Sequence, residues 1–202
     1  MIAEEKKALR KQILALRNQI PQTERMAKSR QILHTLYQSE IYQNADIILT
    51  YIEYQSEVLT SPLIQKNLTK KRIFVPKVSG QDMEFYPIES LSELVKGFKG
   101  IREPRDTSQP FLEDFLQNRK RDSRQEPVRV LMLMPGAVFD KYRHRIGYGL
   151  GFYDRYLARL NDSGVMLKRV ALCFACQMLN TIPHDVHDIR PDMVITENKV
   201  YQ

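Results

Sequence analysis

The chain has no tryptophan, only two cysteines and only eight glycines in 202 residues. Two cysteines cannot make a disulfide framework, so stability must come from a buried core. No apolar run reaches the roughly 18 residues needed to cross a bilayer. The first residues, Met-Ile-Ala-Glu-Glu-Lys-Lys, lack the apolar centre of a signal peptide, so a cytoplasmic protein with no membrane partner is expected. No internal repeat and no low-complexity linker divides the chain, and residues 1–202 read as one domain. Neither a Walker A loop nor a Gly-x-Gly-x-x-Gly fingerprint occurs, and no Ser-His-Asp or metal-hydrolase pattern stands out.

Charge is present in excess of one sign. Lys plus Arg is 31 and Asp plus Glu is 24, a net charge of +7. That balance suits an anionic partner such as a nucleotide, a polyacidic small molecule or nucleic acid, and it is equally ordinary solubilising charge. The run Asn118-Arg-Lys-Arg-Asp-Ser-Arg-Gln-Glu126 has no interleaved aromatics, so it reads as an exposed connection. A nucleic-acid arm built on Arg119, Lys120 and Arg121 is the alternative.

The two cysteines form Cys173-x-x-Cys176, and His184-Asp-Val-His187 follows. Together they imitate a zinc site. Two features oppose it: the segment 170–175 reads as a buried strand, whose residues three apart face opposite ways, and the Cys-to-His spacing is shorter than in the usual finger.

Hydrophobic spacing gives the element order. Residues 3–18 are a basic amphipathic helix with Leu9, Ile13, Leu16 and Ile20 inward, ended by Pro21. A second helix spans 23–37 with Met26, Leu33, Leu36 and Tyr37 buried. Strands follow at 46–52 and 72–78, with a helix opening at Thr60-Ser-Pro62 between them. Residues 83–88 are a hairpin partner near an edge, because Pro76 and Pro87 remove ladder donors. A helical turn is expected at 91–95, and Gly97, Gly100 and Pro104 mark a loop. Strands at 128–134 and 168–174 flank a helix from Phe152. An irregular loop at 182–191 precedes a strand at 193–196 that closes the sheet. Alternating strands and helices indicate an α/β three-layer sandwich with a mostly parallel central sheet and some antiparallel edge pairing.

The densest chemistry lies after the strand at 128–134. A basic loop leads to glycines at alternate positions, Gly147, Gly149 and Gly151, and then to a helix start. Such a turn lets backbone N–H groups face an anion, and Arg143, Arg145 and Arg155 add positive charge. Asp154 in the first helical turn is either a dipole partner or a magnesium ligand beside phosphates. Asp188, in the late loop, is a second carboxylate or an ordinary turn residue. Glu57 follows the first strand, where ligands collect in open sheets, or is a solvated loop glutamate. Lys6 and Arg10 share one helix face.

Pro135-Gly-Ala-Val-Phe-Asp140 with Arg145-Ile-Gly-Tyr-Gly-Leu-Gly-Phe-Tyr-Asp-Arg155 resembles the signature of the 5-formyltetrahydrofolate cyclo-ligase (5,10-methenyltetrahydrofolate synthetase) family. Lys6-Lys-Ala-Leu-Arg10, the segment 51–60 with Glu57, Gly100-Ile-Arg-Glu-Pro104 and the segment 182–188 resemble its other motifs in the right order. The resemblance implies a fold similar to sugar-phosphate isomerases and CoA transferases. It also implies an ATP- and Mg²⁺-dependent ligase that acts on 5-formyltetrahydrofolate and possesses catalytic Arg145 and Tyr153; a monomer is expected. By that resemblance ATP lies along Lys6, Lys7, Ala8, Leu9 and Arg10 and along Arg145, Ile146, Gly147, Tyr148, Gly149, Leu150, Gly151, Phe152 and Tyr153. The folate contacts Ile52, Glu57 and residues 148–152, and Asp154 and Asp188 hold the metal. Two positions depart from the family pattern: Leu150, where glycine or lysine is common, and Phe152, where tyrosine is common. A catalytically silent folate- or nucleotide-binding paralogue and an RNA-associated basic protein are the alternatives.

Overall fold

The computed structural model describes residues 2–202 apart from 106, 108, 122–127, 162 and 187, and for 118–121 it describes the backbone alone. Helix α1 (Ile2–Asn18) and helix α2 (Gln22–Gln38) are separated by Pro21, which has no N–H to continue α1 and opens α2. The short α3 (Glu40–Gln43) begins at Ser39, whose hydroxyl accepts from the Tyr42 N–H at 3.3 Å. Strand β1 (Ile47–Leu49) and helix α4 (Ser61–Asn67) follow, the latter with proline in its first turn. Strands β2 (Arg72–Ser79) and β3 (Asp82–Pro87) form the expected antiparallel hairpin around Gly80. A 3₁₀ turn at Leu91–Glu93 leads to a two-stranded ribbon, β4 (Leu94–Lys96) and β5 (Arg102–Pro104). Pro104 therefore ends a strand, and only Gly97 and Gly100 belong to the loop between. Helix α5 (Phe111–Arg121) absorbs the start of the basic run, which is thus not all connection. Its remainder, and the side chains of Arg119, Lys120 and Arg121, lie outside the described residues.

Strand β6 (Arg129–Met134) feeds a small hairpin, β7 (Val138–Asp140) and β8 (Arg145–Ile146). What the sequence presents as a basic loop is this hairpin, and Arg143 sits in its turn with φ +70°. Helix α6 (Phe152–Asn161), β9 (Met166–Leu172), β10 (Met178–Leu179), β11 (Met193–Ile195) and β12 (Val200–Tyr201) complete the chain. The large sheet has the order β12-β11-β9-β6-β1-β2-β3. Its five inner strands are parallel, and both edge strands run antiparallel. The sheet closes with β12 rather than with β11. Pro76 is tolerated because β1 pairs only with residues 72–74 of β2, leaving the proline beyond that ladder.

Alternation along the strands makes the layers. Ile48, Ile73, Leu131, Leu133, Val170 and Leu172 face α2 and α4, where Ile32, Leu33, Leu36, Leu63 and Ile64 meet them. Ile47, Leu49, Phe74, Val130, Met132 and Ala171 face α5 and α6, against Phe111, Phe115, Tyr156, Leu157 and Leu160. The architecture is thus a three-layer α/β sandwich. The strand expected through 175 ends at Leu172 and Cys176 lies in a 3₁₀ turn, Ala175–Gln177, so strand alternation does not set the pair; Cys173 nonetheless belongs to the second cluster and Cys176 packs on the first. His187 lies outside the described residues. Two expected core residues are on the surface: Leu16 and Met26 are each 45% exposed. The stripe of α1 that packs is narrower: Ile13 is buried with Ala137, Val138, Ile146 and Ile182, and Leu9 and Leu14 rest on that cluster. Burying one such side chain stabilises by about 1.5–3 kcal/mol, and this contact docks α1 on the β7–β8 hairpin.

Candidate active site

Strands β1 and β6 are parallel neighbours, with Leu49 opposite Met132. Their carboxyl ends therefore open at the same edge of the sheet, where open α/β sheets form crevices. A cavity of about 660 Å³ lies there, lined by Tyr51 and Ile52 after β1 and Pro135 after β6. Helix α1 supplies one wall. Lys6, Arg10, Leu14 and Arg17 recur every three or four residues, so they share a face, and all four line the cavity. The turn between β4 and β5 adds Phe98 and Lys99 from another side.

The glycine turn is held by arginines. Arg10 donates through Nε to the Gly147 carbonyl at 2.7 Å. Gly149 has φ +92°, and a Cβ there would lie 3.3 Å from Arg10 Nη1; a Cβ on Gly147 would lie 2.9 Å from Arg145 Nη1. Side chains at these positions would push the guanidinium groups off the backbone. Gly151, with φ +67°, turns the chain into α6. Arg155 donates to the Leu150 carbonyl at 2.9 Å, outside the cavity lining. Arg143, at the hairpin turn, is also outside it.

Arg145 is buried. It donates to Pro135 O at 3.3 Å and to Asp154 Oδ1 at 2.8 Å, and its Nε has no partner among the described residues. Asp154 Oδ1 also accepts from the Ile189 N–H at 3.4 Å, which brings the late loop beside α6. In that loop Asp188 forms an ion pair with Lys6 and accepts from the Asp185 N–H at 2.7 Å. Each of the two aspartates thus faces a basic residue from a different element. Among the described residues no cluster of three or more His, Cys, Asp or Glu side chains could hold a metal by itself.

Glu57 lies opposite and is 7% exposed. The Tyr148 hydroxyl donates to Oε1, and the Tyr54 N–H donates to Oε2 at 2.8 Å. Burial pushes the Glu57 carboxyl up from its ordinary range; the Tyr148 hydrogen bond, the Arg17 charge and the Tyr54 N–H oppose that push. Burial, and then the Glu57 charge, also raises the Tyr148 and Tyr153 phenols, so both hydroxyls stay protonated. Tyr148 is 40% exposed and lines the cavity, while its hydroxyl is engaged by Glu57 and Arg17. The Tyr153 hydroxyl is buried with no partner among the described residues, and its ring stands edge-on to Phe85 at 6.2 Å. Phe152 stands edge-on to Phe98 at 5.9 Å, an apolar contact in the cavity wall where a tyrosine would bring a hydroxyl. Leu150 is 41% exposed in the same wall.

The structure therefore gathers Lys6, Arg10, Ile52, Glu57, Asp154, Asp188 and residues 145–153 around one space. It does not bring Lys7, Ala8 or Leu9 there: Lys7 and Ala8 are exposed on the outer face of α1, and Leu9 packs on the hairpin cluster. A helix shows one face in three or four residues, so a contiguous run cannot all contact one ligand through its side chains. Sequence reasoning missed Arg17, whose signal is its place on the Lys6–Arg10 face. It also missed Phe98 and Lys99, for which no local pattern exists. Chemically, the site offers a row of cations beside a glycine turn and, across the cavity, a desolvated carboxylate acceptor.

Known proteins bear on this arrangement. The family model described as the 5-formyltetrahydrofolate cyclo-ligase family matches residues 2–197. A probable 5-formyltetrahydrofolate cyclo-ligase of Schizosaccharomyces pombe is 30% identical, over 72% of this chain and 72% of its own length. The 5-formyltetrahydrofolate cyclo-ligase of Mus musculus is 28% identical, over 96% of this chain and 94% of its own. The solved structure of Aquifex aeolicus 5,10-methenyltetrahydrofolate synthetase superposes with a TM-score of 0.79 at 28% identity, covering 98% of this chain and 92% of that one.

Proposed function

The chain belongs to the 5-formyltetrahydrofolate cyclo-ligase family, and from this and the cavity we propose that it converts 5-formyltetrahydrofolate to 5,10-methenyltetrahydrofolate at the expense of ATP. The observation that supports this most is the convergence on one cavity of the α1 basic face, the glycine turn and the buried Glu57. In this reading residues 1–202 act as one cyclo-ligase domain, monomeric and soluble in the cytoplasm.

The triphosphate lies between Lys6, Arg10 and Arg145, against the backbone of residues 147–151. The pterin lies near Ile52, with its amino and ring N–H groups donating to Glu57. The γ-phosphoryl group passes from ATP to the formyl oxygen, and ADP leaves. Nitrogen 10 attacks the activated carbon, the carbon–oxygen bond breaks with release of phosphate, and the methenyl bridge remains. The protein's part is positioning and charge stabilisation. Arg145, which already stands on Asp154 and Pro135 O, supplies fixed positive charge next to the transferring group, and Tyr153 supplies a neutral donor.

Magnesium fits the donor set. Mg²⁺ prefers one or two carboxylates completed by phosphate oxygens, and Asp154 and Asp188 are two carboxylates on the same cavity, with side chains 34% and 24% exposed. They would hold the ion together with the nucleotide, and the bound ion would neutralise phosphate charge. Lys6 and Arg145, which pair with these carboxylates here, then face the phosphates.

Mixing the protein with 5-formyltetrahydrofolate, ATP and Mg²⁺ should produce methenyl absorbance and ADP in equal amounts, and omission of any one should stop it. Well-folded protein that binds both ligands without turnover would favour the silent paralogue instead.

A further inference from the structure

We propose that Arg17 is a positioning residue for the folate: it fixes the Tyr148 hydroxyl so that Glu57 presents a clamped carboxylate to the pterin. This rests on the folate reading of the cavity. Arg17 is 2% exposed, yet among the described residues it makes no ion pair within 4.0 Å. Burying a guanidinium away from a carboxylate costs stability, so an apolar residue at this helix position would serve packing better. Its donors go to three neutral acceptors instead: Ser56 Oγ at 2.9 Å, Tyr148 Oη at 2.8 Å and the Gly136 carbonyl at 3.5 Å. Those three belong to the segment after β1, the glycine turn and the segment after β6. Arg17 on α1 joins all three.

Donor and acceptor counting gives this node a direction. Arginine has donors only, so the Tyr148 oxygen must accept from it. The single phenolic proton then goes to Glu57 Oε1. Ser56 behaves alike: it accepts from Arg17 Nε, and its own proton goes to Asn18. The residue before Glu57 is thereby pinned too. The Tyr54 N–H takes the other carboxylate oxygen. One acceptor position on each oxygen is used, and one on each remains for a pair of N–H donors, the number that an amino-pyrimidinone edge presents.

The same node bears on ionisation. The groups facing Glu57 are Arg17 from α1, Tyr148 and Tyr153 from the glycine turn and α6, and Tyr51, Glu53 and Tyr54 from its own segment. Arg17 is the cation among these groups, and its charge opposes the upward push of burial. Its loss should make Glu57 take up a proton at higher pH and so weaken folate binding on the acid side.

The test compares wild type with Arg17→Met, Arg17→Lys and Tyr148→Phe, measuring KM for 5-formyltetrahydrofolate and for ATP from pH 5 to 9. Arg17→Met and Tyr148→Phe should each raise the folate KM roughly tenfold and leave the ATP KM within about twofold. The acid limb of the folate profile should move up by about one unit in Arg17→Met. Arg17→Lys should recover part of both effects, and the double variant should be no worse than Arg17→Met, because the two residues are links of one chain. Tyr148→Phe removes only a hydroxyl beside the cavity, so it carries the test should Arg17→Met not fold. A folded variant with wild-type folate KM and an unmoved acid limb overturns the proposal, as do equal rises for both substrates. Wild type that binds no folate overturns the functional reading itself, and this assignment with it.

Discussion

Where the parallel strands begin, the sheet sets arginine directly on aspartate. Asp46, before β1, accepts from the Arg129 N–H at 2.9 Å and faces its Nε at 3.4 Å; Asp192, before β11, accepts from Arg169 Nη2 at 2.7 Å. Burial alone would raise both carboxyls, but the arginine contacts win and hold them below the ordinary range. Where the strands end, the buried Glu57 meets a tyrosine first and an arginine only through it, and its carboxyl is held up. One edge pairs charges at the rim, where they pin neighbouring strands in register. The other keeps an acid in a dry place with acceptor positions unfilled. The first arrangement stabilises the fold modestly; the second is costly for the fold and useful to a ligand.

The contrast can be broken from either side. The largest effect is expected at Arg145. Its two donor arms reach Pro135 O and Asp154 in different directions, which a lysine cannot reproduce. Arg145→Lys should lower the rate of methenyl formation about 100-fold or more while the thermal midpoint moves by a few degrees at most. A loss of stability with turnover kept would place Arg145 with the rim arginines. The smallest effect belongs to the rim. Asp192→Asn should leave turnover untouched and lower stability by about 0.5–1 kcal/mol at neutral pH in denaturant titrations. A carboxyl held low binds fewer protons folded than unfolded. The stability it adds is therefore complete above its unfolded value of about 3.9, and is lost as pH falls toward the folded value. The gap between wild type and variant should close over that acid range. A gap that stays constant to low pH would show that packing, not charge, holds this corner.

The sandwich was legible because its strands are apolar on both faces and its helices on one, a signal that survives without neighbours. Glu57 and the glycine turn were legible because ligands gather where parallel strands end. The β7–β8 hairpin was not: β8 is two residues long, too short for any alternation to show, and its charged turn looks like a loop. The closing strand β12 hides for the same reason. Leu16 and Met26 misled because an isolated apolar residue near a helical stripe looks like part of it, whereas only Ile13 on α1 and Ile32, Leu33 and Leu36 on α2 reach the core. Arg17 was missed, although it continues the Lys6–Arg10 face, because a buried arginine reads as one more charge on a basic helix until its three partners, 39, 119 and 131 residues away in sequence, come together. Phe98 and Lys99 return to the cavity only through the β4–β5 ribbon, a placement that no local pattern encodes.

Whether Glu57 holds the pterin is decided by Glu57→Gln, with folate KM, ATP KM and thermal midpoint measured together. A carboxyl held up by burial loses stability as pH rises through its unfolded and then its folded value, so a neutral amide removes a penalty at pH 7. A buried acid that holds the pterin gives a variant with a folate KM raised about tenfold or more, an ATP KM nearly unchanged and a midpoint equal to or above that of wild type. An unchanged folate KM in the folded variant would contradict it.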